Sequence, residues 1–245
     1  MYIFQKGTRM KFNAYIDGFN LYKGLLTHHP ELKWLDLPTF CRRSWPDFEL
    51  ERCYFFTSRI KEKFPRDPAP RRQHTYLRAL EGRDVVIIES GFKKNLDWLR
   101  LNTGSVGAIF DPSLHDEHGY VQNHFDSVSG LLHQDSIKAH VWKYSEKGTD
   151  VALATMLMRD SLRYGLENAL VITGDSDLAL PISEVKDFGT NVRVLIPNPN
   201  QTSEVLRQAA NSCDTVKLDL LSGSQLPQTV KTPKGSDITR PRLWA

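Results

Sequence analysis

The run from Glu167 to Gly189, ENALVITGDSDLALPISEVKDFG, constrains this chain more than any other. Ala169 to Thr173 reads as a buried strand, Gly174 as a tight turn, and Asp177 to Phe188 as a helix. Two carboxylates, Asp175 and Asp177, stand one residue apart at the mouth of that strand. Close carboxylates repel one another, and low-dielectric walls add a desolvation cost. A divalent cation relieves both penalties, so the pair suggests half of a metal site.

Two other segments offer the other half. Phe12 to Ile16 is an apolar run that reads as the first strand, with Asp17 at its carboxyl end, Gly18 next, and Asn20 one helical turn into FNLYKGLL. Asp150 follows the Gly148 break and opens a helix whose expected apolar stripe is Val151, Ala154, Leu157, Met158 and Leu162. Ligands of open α/β sheets bind outside the carboxyl ends of strands, where the topology switches direction. Asp17, Asp150, Asp175 and Asp177 converging there describe a hard-cation site, and oxygen donors favour Mg2+ or Mn2+ over zinc. Each acid also has a simpler reading. Asp150, Asp175 or Asp177 alone caps a helix, Asp17 alone steadies a turn, and Asn20 is a common early-helix residue. Their shared place at strand-to-helix junctions favours the metal site.

The motifs DGFNLY, EKGTDVALA and ITGDSDLALPI, followed by the strand VRVLIP, resemble the NYN domain, a PIN-like, LabA-like ribonuclease family. The resemblance extends over Phe55 to Gly82 and DVVIIESGFKK, and so over most of the chain from Lys11 to about Asp219. It implies a Rossmann-like, PIN-like parallel sheet between helices and a metal-dependent ribonuclease site. By position Asp17, Asp150 and Asp175 match the family's acidic core, Asp177 the second acid of GDSD, and Asn20 the Asn of DGFN. Thr149 departs from the Val usual in KGVD, and Leu178 from a common aromatic. Neither change touches a carboxylate.

The expected activity is endonucleolytic hydrolysis of RNA phosphodiester bonds. Carboxylate-held metal lowers the pKa of bound water and clamps the attacking and leaving oxygens. Asp17, Asp150 and Asp175 are the expected ligands, direct or through water. Asp177 is a further ligand, an orienting group or a base, and Asn20 holds a water or a phosphate oxygen. Lys147 either meets a phosphate or is an ordinary solvated lysine. Arg59, Lys61, Lys63, Arg66, Arg71 and Arg72 form either a phosphate-tracking lip or a solvated loop. The alternatives are a non-catalytic RNA-binding or regulatory module on the same fold, and a phosphatase with its nucleophile in DxD. Against the phosphatase, Ala179 stands where Thr or Val is expected and the acids fall late in the chain.

The expected organisation is one α/β nuclease domain over 11–219, with an insertion or lid at 95–134 before the fourth main strand and a basic, disordered tail over 220–245. Strands are expected at 11–16, 50–58, 84–90, 139–144, 169–173, 192–196 and 215–218, with helices between them, the first from Phe19 to His28. The insertion carries His115, His118, His124 and His133 without ligand spacing, and aromatics such as Trp98, Phe110, Tyr120 and Phe125 that pack or stack bases. The formal net charge of +3 resides in the tail, where Lys231, Lys234, Arg240 and Arg242 face Asp237 alone, so the body is formally neutral. Three cysteines (Cys41, Cys53 and Cys213) lack metal or disulfide spacing, and MYIFQKGTRM lacks a secretory apolar core, so a cytoplasmic, non-membrane protein is expected. The expected partner is single-stranded or structured RNA. DNA as a substrate and homo-oligomerisation stay open.

Overall fold

The computed structural model describes residues 9–62, 65–102, 136–198, 200 and 203–244. The chain divides into two compact units, one of Met1–Phe92 with Glu146–Ala245, the other of Lys93–Ser145. In the larger unit six strands form a parallel sheet: β1 (Lys11–Asp17), β2 (Glu49–Ser58), β3 (Val85–Asn102), β5 (Asn168–Ile172), β6 (Asn191–Ile196) and β7 (Ser212–Thr215). Their order is β3-β2-β1-β5-β6-β7, with β4 (Ser136–Lys147) beyond β3. The smaller unit contains the outer part of β3 and most of β4. Most of the 95–134 segment, with its four histidines and Phe110, Tyr120 and Phe125, lies outside the described residues, as does the side chain of Trp98.

The chain runs outward from β1 through β2 to β3, then returns to pair β5 with β1 and runs outward the other way. The sheet direction therefore switches between β1 and β5. That is where an open α/β sheet leaves a crevice at its carboxyl edge. β1 is buried from Phe12 onward and β5 throughout, as expected of central parallel strands covered on both faces. Successive side chains feed two cores. Phe12, Ile16, Phe55, Leu170 and Ile172 pack with Trp34, Phe40 and Leu77 on one face. Tyr15, Phe56, Val171 and Val194 pack with Leu153, Leu157, Ile182 and Val185 on the other.

Helices α1 (Gly18–Leu21), α2 (Leu37–Ser44), α3 (Ala69–Leu80), α4 (Thr149–Tyr164), α5 (Ala179–Asp187), α6 (Glu204–Ala209) and α7 (Leu218–Ser222) cover the sheet. Some expectations need correction. The first helix is a single turn passing into a π-helical turn over Tyr22–Leu26, so it stops before His28 and His29. In α4 the buried face is Thr149, Leu153, Leu157 and Asp160, whereas Val151 and Leu162 are exposed. Apolar residues fill more than one face of that helix, so composition alone misaligns the stripe. The last parallel strand is Ser212–Thr215, earlier than expected.

The tail is the largest departure. Instead of disorder, residues 218–244 form α7, an antiparallel hairpin of β8 (Thr229–Lys231) and β9 (Asp237–Thr239), and a closing turn that buries Trp244. Trp244 packs against Trp34 and Tyr76, and the Trp34 indole donates to the Pro227 carbonyl at 2.8 Å. Polar composition concealed a few well-spaced apolar anchors, Leu221, Leu226, Val230, Ile238 and Trp244, all part of the core on this face.

Candidate active site

Asp17 ends β1 and is 1% exposed. Its side chain caps α1, accepting from the Asn20 backbone N–H at 3.0 Å. Its other oxygen accepts from Asn20 Nδ2 at 2.7 Å and from Thr173 Oγ1 at 3.0 Å. Gly18 permits this turn, because a Cβ there would lie 2.7 Å from the Phe56 carbonyl oxygen and from the Phe55 ring. Burial raises the Asp17 carboxyl above the usual carboxylate range, the Asn20 and Thr173 hydrogen bonds oppose that rise, and Asp175 adds to it.

Asn20 spans the switch point. Its amide nitrogen serves Asp17, and its oxygen accepts from the Gly174 N–H at 3.3 Å. Both ends of the amide are thus engaged within the protein, and Asn20 ties the end of β1 to the turn after β5. Thr173, fully buried, does the same from the other side, donating to Asp17 and accepting from the Asp175 N–H at 3.1 Å. Asp175 in turn caps the short 3-10 turn, accepting from the Asp177 N–H at 2.9 Å. Asp175 is half-buried and Asp177 exposed.

Asp150 does not act as the helix cap that its sequence position suggests. The capping position of α4 is Gly148, with φ 96°, and no side chain caps it. Asp150 stands in the first turn, with its carboxylate engaged in no hydrogen bond or ion pair among the described residues. Its pKa is pushed up to about 6, first by desolvation, then by the charges of Asp17, Asp175 and Asp177. The start of α4 is seated on the sheet by Thr149, whose hydroxyl lies 3.4 Å from that of Ser58 at the end of β2. Four carboxylates from three elements therefore share one electrostatic field at the switch point.

None of the four has an ion-pair partner among the described residues. Nor does any group of three or more His, Cys, Asp or Glu side chains there stand close enough to hold an ion unaided. Magnesium retains several waters and takes only one or two carboxylates directly, the rest coming from substrate phosphates. The donors fit in kind: all are oxygens, and their mutual repulsion lacks a counter-charge.

The basic lip is altered in one respect. Arg59 is committed to Glu89 through Nε at 2.9 Å and Nη2 at 2.6 Å, and holds that carboxyl below its usual range. It also lies 2.9 Å from His74, which leaves it unsuited to phosphate. Lys61 and Arg71 are exposed and Arg72 is half-buried, each without an ion pair among the described residues. Lys63 and the side chain of Lys147 lie outside those residues. Sequence reasoning missed Thr173 and passed over Thr149. The available signal was a hydroxyl residue ending or following a strand at the switch point, where its partner is unknown until β1, β2 and β5 are placed together.

The class that this fold and crevice define is a parallel α/β domain with an acidic centre at its switch point. The chain's resemblance to the NYN domain is shown by the family model of that description, which matches residues 112–217 and points to a nuclease-type hydrolase. The matched stretch contains Asp150, Asp175 and Asp177; Asp17 and Asn20 join them through the pairing of β1 with β5. A curated relative, 6-hydroxy-3-succinoylpyridine 3-monooxygenase HspA of Pseudomonas putida (strain DSM 28022 / S16), is 25% identical over 261 residues, covering 96% of this chain and 75% of its own. A crystal structure of a protein of unknown function from Vibrio parahaemolyticus RIMD 2210633 aligns with a TM-score of 0.45 at 14% identity, covering 88% of this chain and 98% of the other. No described helix is long and apolar enough to cross a membrane.

Proposed function

We propose that this protein is a divalent-metal-dependent ribonuclease that cuts RNA internally. The observation that carries the reading is the meeting of four carboxylates without a counter-charge at the sheet's switch point, where desolvation first, and the charges of Asp17, Asp175 and Asp177 second, push Asp150 up to about 6. The NYN match supports the same class of chemistry. Asp17, Asp150 and Asp175 would hold Mg2+ or Mn2+, directly or through water, with Asp177 beside them. A bound ion supplies Lewis acidity and a water of lowered pKa. Asn20 and Thr173 keep Asp17 and Asp175 in register across two strands, while Lys61, Arg71 and Arg72 draw in the RNA backbone.

The test is incubation of end-labelled single-stranded and structured RNA with wild type and Asp150→Asn, in Mn2+, Mg2+ or EDTA. Metal-dependent internal cuts that vanish in the variant are expected. A folded wild type that binds RNA but never cuts it sinks the reading in favour of a binding module.

The alignment with HspA, which spans nearly the whole chain, favours a second reading as an oxygenase acting on an aromatic ring. Oxygen consumption with 6-hydroxy-3-succinoylpyridine and a reduced electron donor separates the two, since the nuclease reading expects none.

A further inference from the structure

On the opposite face of the β1–α1 turn from the acids lies a cavity of about 120 Å³ that no step of the proposed hydrolysis uses. Gly18, the neighbour of Asp17, forms part of its wall, so it opens at the same edge of the sheet as the acidic crevice. Aromatic rings stand among the aliphatic side chains that line it. Phe55 and Tyr76 meet edge to face at 6.4 Å, and Tyr76 and Trp244 do so at 6.1 Å. Tyr22, 43% exposed, stands at the rim beneath the Lys33 ammonium, which lies 5.0 Å from the ring centre.

Two polar features make this more than a packing defect. Thr57 is 7% exposed and lines the cavity, and its hydroxyl, which makes no hydrogen bond among the described residues, stays within reach of solvent and so of a ligand. Such a hydroxyl can exchange its water for a ligand's polar edge at little cost. Arg72 also lines the cavity, and neither it nor Lys33 has a carboxylate partner among the described residues. The cavity therefore has flat apolar walls, one inward hydroxyl and two uncompensated cations. Those are the complements of a flat ring, a polar ring edge and an anionic backbone.

We propose that this cavity is a nucleobase subsite, which receives an unstacked base of the RNA strand next to the cleaved phosphate while Arg72 and Lys33 hold the adjoining phosphates. The identity of the ligand rests on the nuclease reading; the cavity's chemistry does not. Thr57 is a single hydroxyl that donates or accepts, and stacking depends little on base identity, so the subsite selects unpaired bases over paired ones with weak sequence preference.

The test is a binding titration in EDTA followed by tryptophan fluorescence, using a single-stranded pentaribonucleotide and versions of it abasic at each position in turn. The intact oligonucleotide is expected to quench emission in wild type and much less in Trp244→Phe. Removing the base at one position should weaken binding about tenfold or more. That positional penalty should disappear in Thr57→Leu, which fills the cavity. Arg72→Ala, half-buried at the cavity wall, should weaken all oligonucleotides alike and reduce the salt dependence. Equal binding across the abasic series, or the absence of any quenching, overturns the proposal. So does saturation of the quench by an aromatic carboxylic acid that RNA cannot displace, which assigns the cavity to small aromatic acids. Cleavage of a longer RNA in Mn2+ is scored in parallel. Binding with a positional penalty but no cutting refutes the nuclease reading and leaves the base site standing. Cutting without a positional penalty does the reverse.

Discussion

A carboxylate in the first turn of a helix ordinarily gains from the helix dipole. Asp150 goes the other way, because desolvation and the fields of Asp17, Asp175 and Asp177 outweigh that gain. The sign of the linkage follows. With its folded-state pKa raised, the group contributes stability below its unfolded pKa, and that contribution is lost as pH climbs past about 6. Metal-free protein should therefore melt at a higher temperature at pH 5 than at pH 7.5. Asp150→Asn should raise the melting temperature at pH 7.5 and lose that advantage near pH 4; an unchanged melting curve at pH 7.5 counts against the shared field. Metal binding should displace the Asp150 proton, so Mg2+ affinity, measured by calorimetry, should rise between pH 5 and 7. Thr173→Val offers a second test at this scale. It removes the hydroxyl that bridges Asp17 and the Asp175 N–H, and should lower cleavage by ~10–100-fold, as loss of an orienting group around a metal ligand does. Full activity in that variant would mean that the bridge is structural only.

At the scale of elements, the site depends on how closely β1, its turn and β2 approach. Gly18 sits where any side chain would strike the Phe56 carbonyl and the Phe55 ring. Gly18→Ala should cost about 1–3 kcal/mol by overpacking, readable in a urea titration, and should weaken activity further by shifting Asp17. Retained stability with full activity would show that β2 yields easily there. The legibility of elements from sequence also divides at this point. Strands β1, β2, β5 and β6 were readable because central parallel strands are buried on both faces and leave continuous apolar runs. Helix α4 was readable as a helix but not in its facing. Val151 and Leu162 are apolar and exposed, while Asp160 is buried, held by the Tyr15 hydroxyl at 2.7 Å and by Arg159 at 2.6 Å. A buried acid inside a helix disguises the stripe, since only tertiary contacts reveal its partner.

At the scale of the whole molecule, the closing segment is part of the core rather than an appendage. Trp244 covers Trp34 and Tyr76 and completes a wall of the cavity. Trp244→Ala should destabilise the larger unit by about 3 kcal/mol, measured by chemical unfolding, with the melting of Trp34's environment as its signal. A variant as stable as wild type would return the segment to the role of a loose tail. The sequence by itself determined the α/β class, the strand-to-helix junctions and the identity of the acids. These are local properties, carried by apolar runs, glycine breaks and the residue types at strand ends. Only the tertiary structure decided that α4 starts beside the β1–β5 switch, that Asn20 and Thr173 lock the two strand ends together, that Arg59 is consumed by Glu89, and that residues 218–244 fold back onto Trp34. Each of these is a contact between residues far apart in the chain. Whether such a side chain caps, pairs or stays available depends on what another strand brings to it, and no local pattern records that.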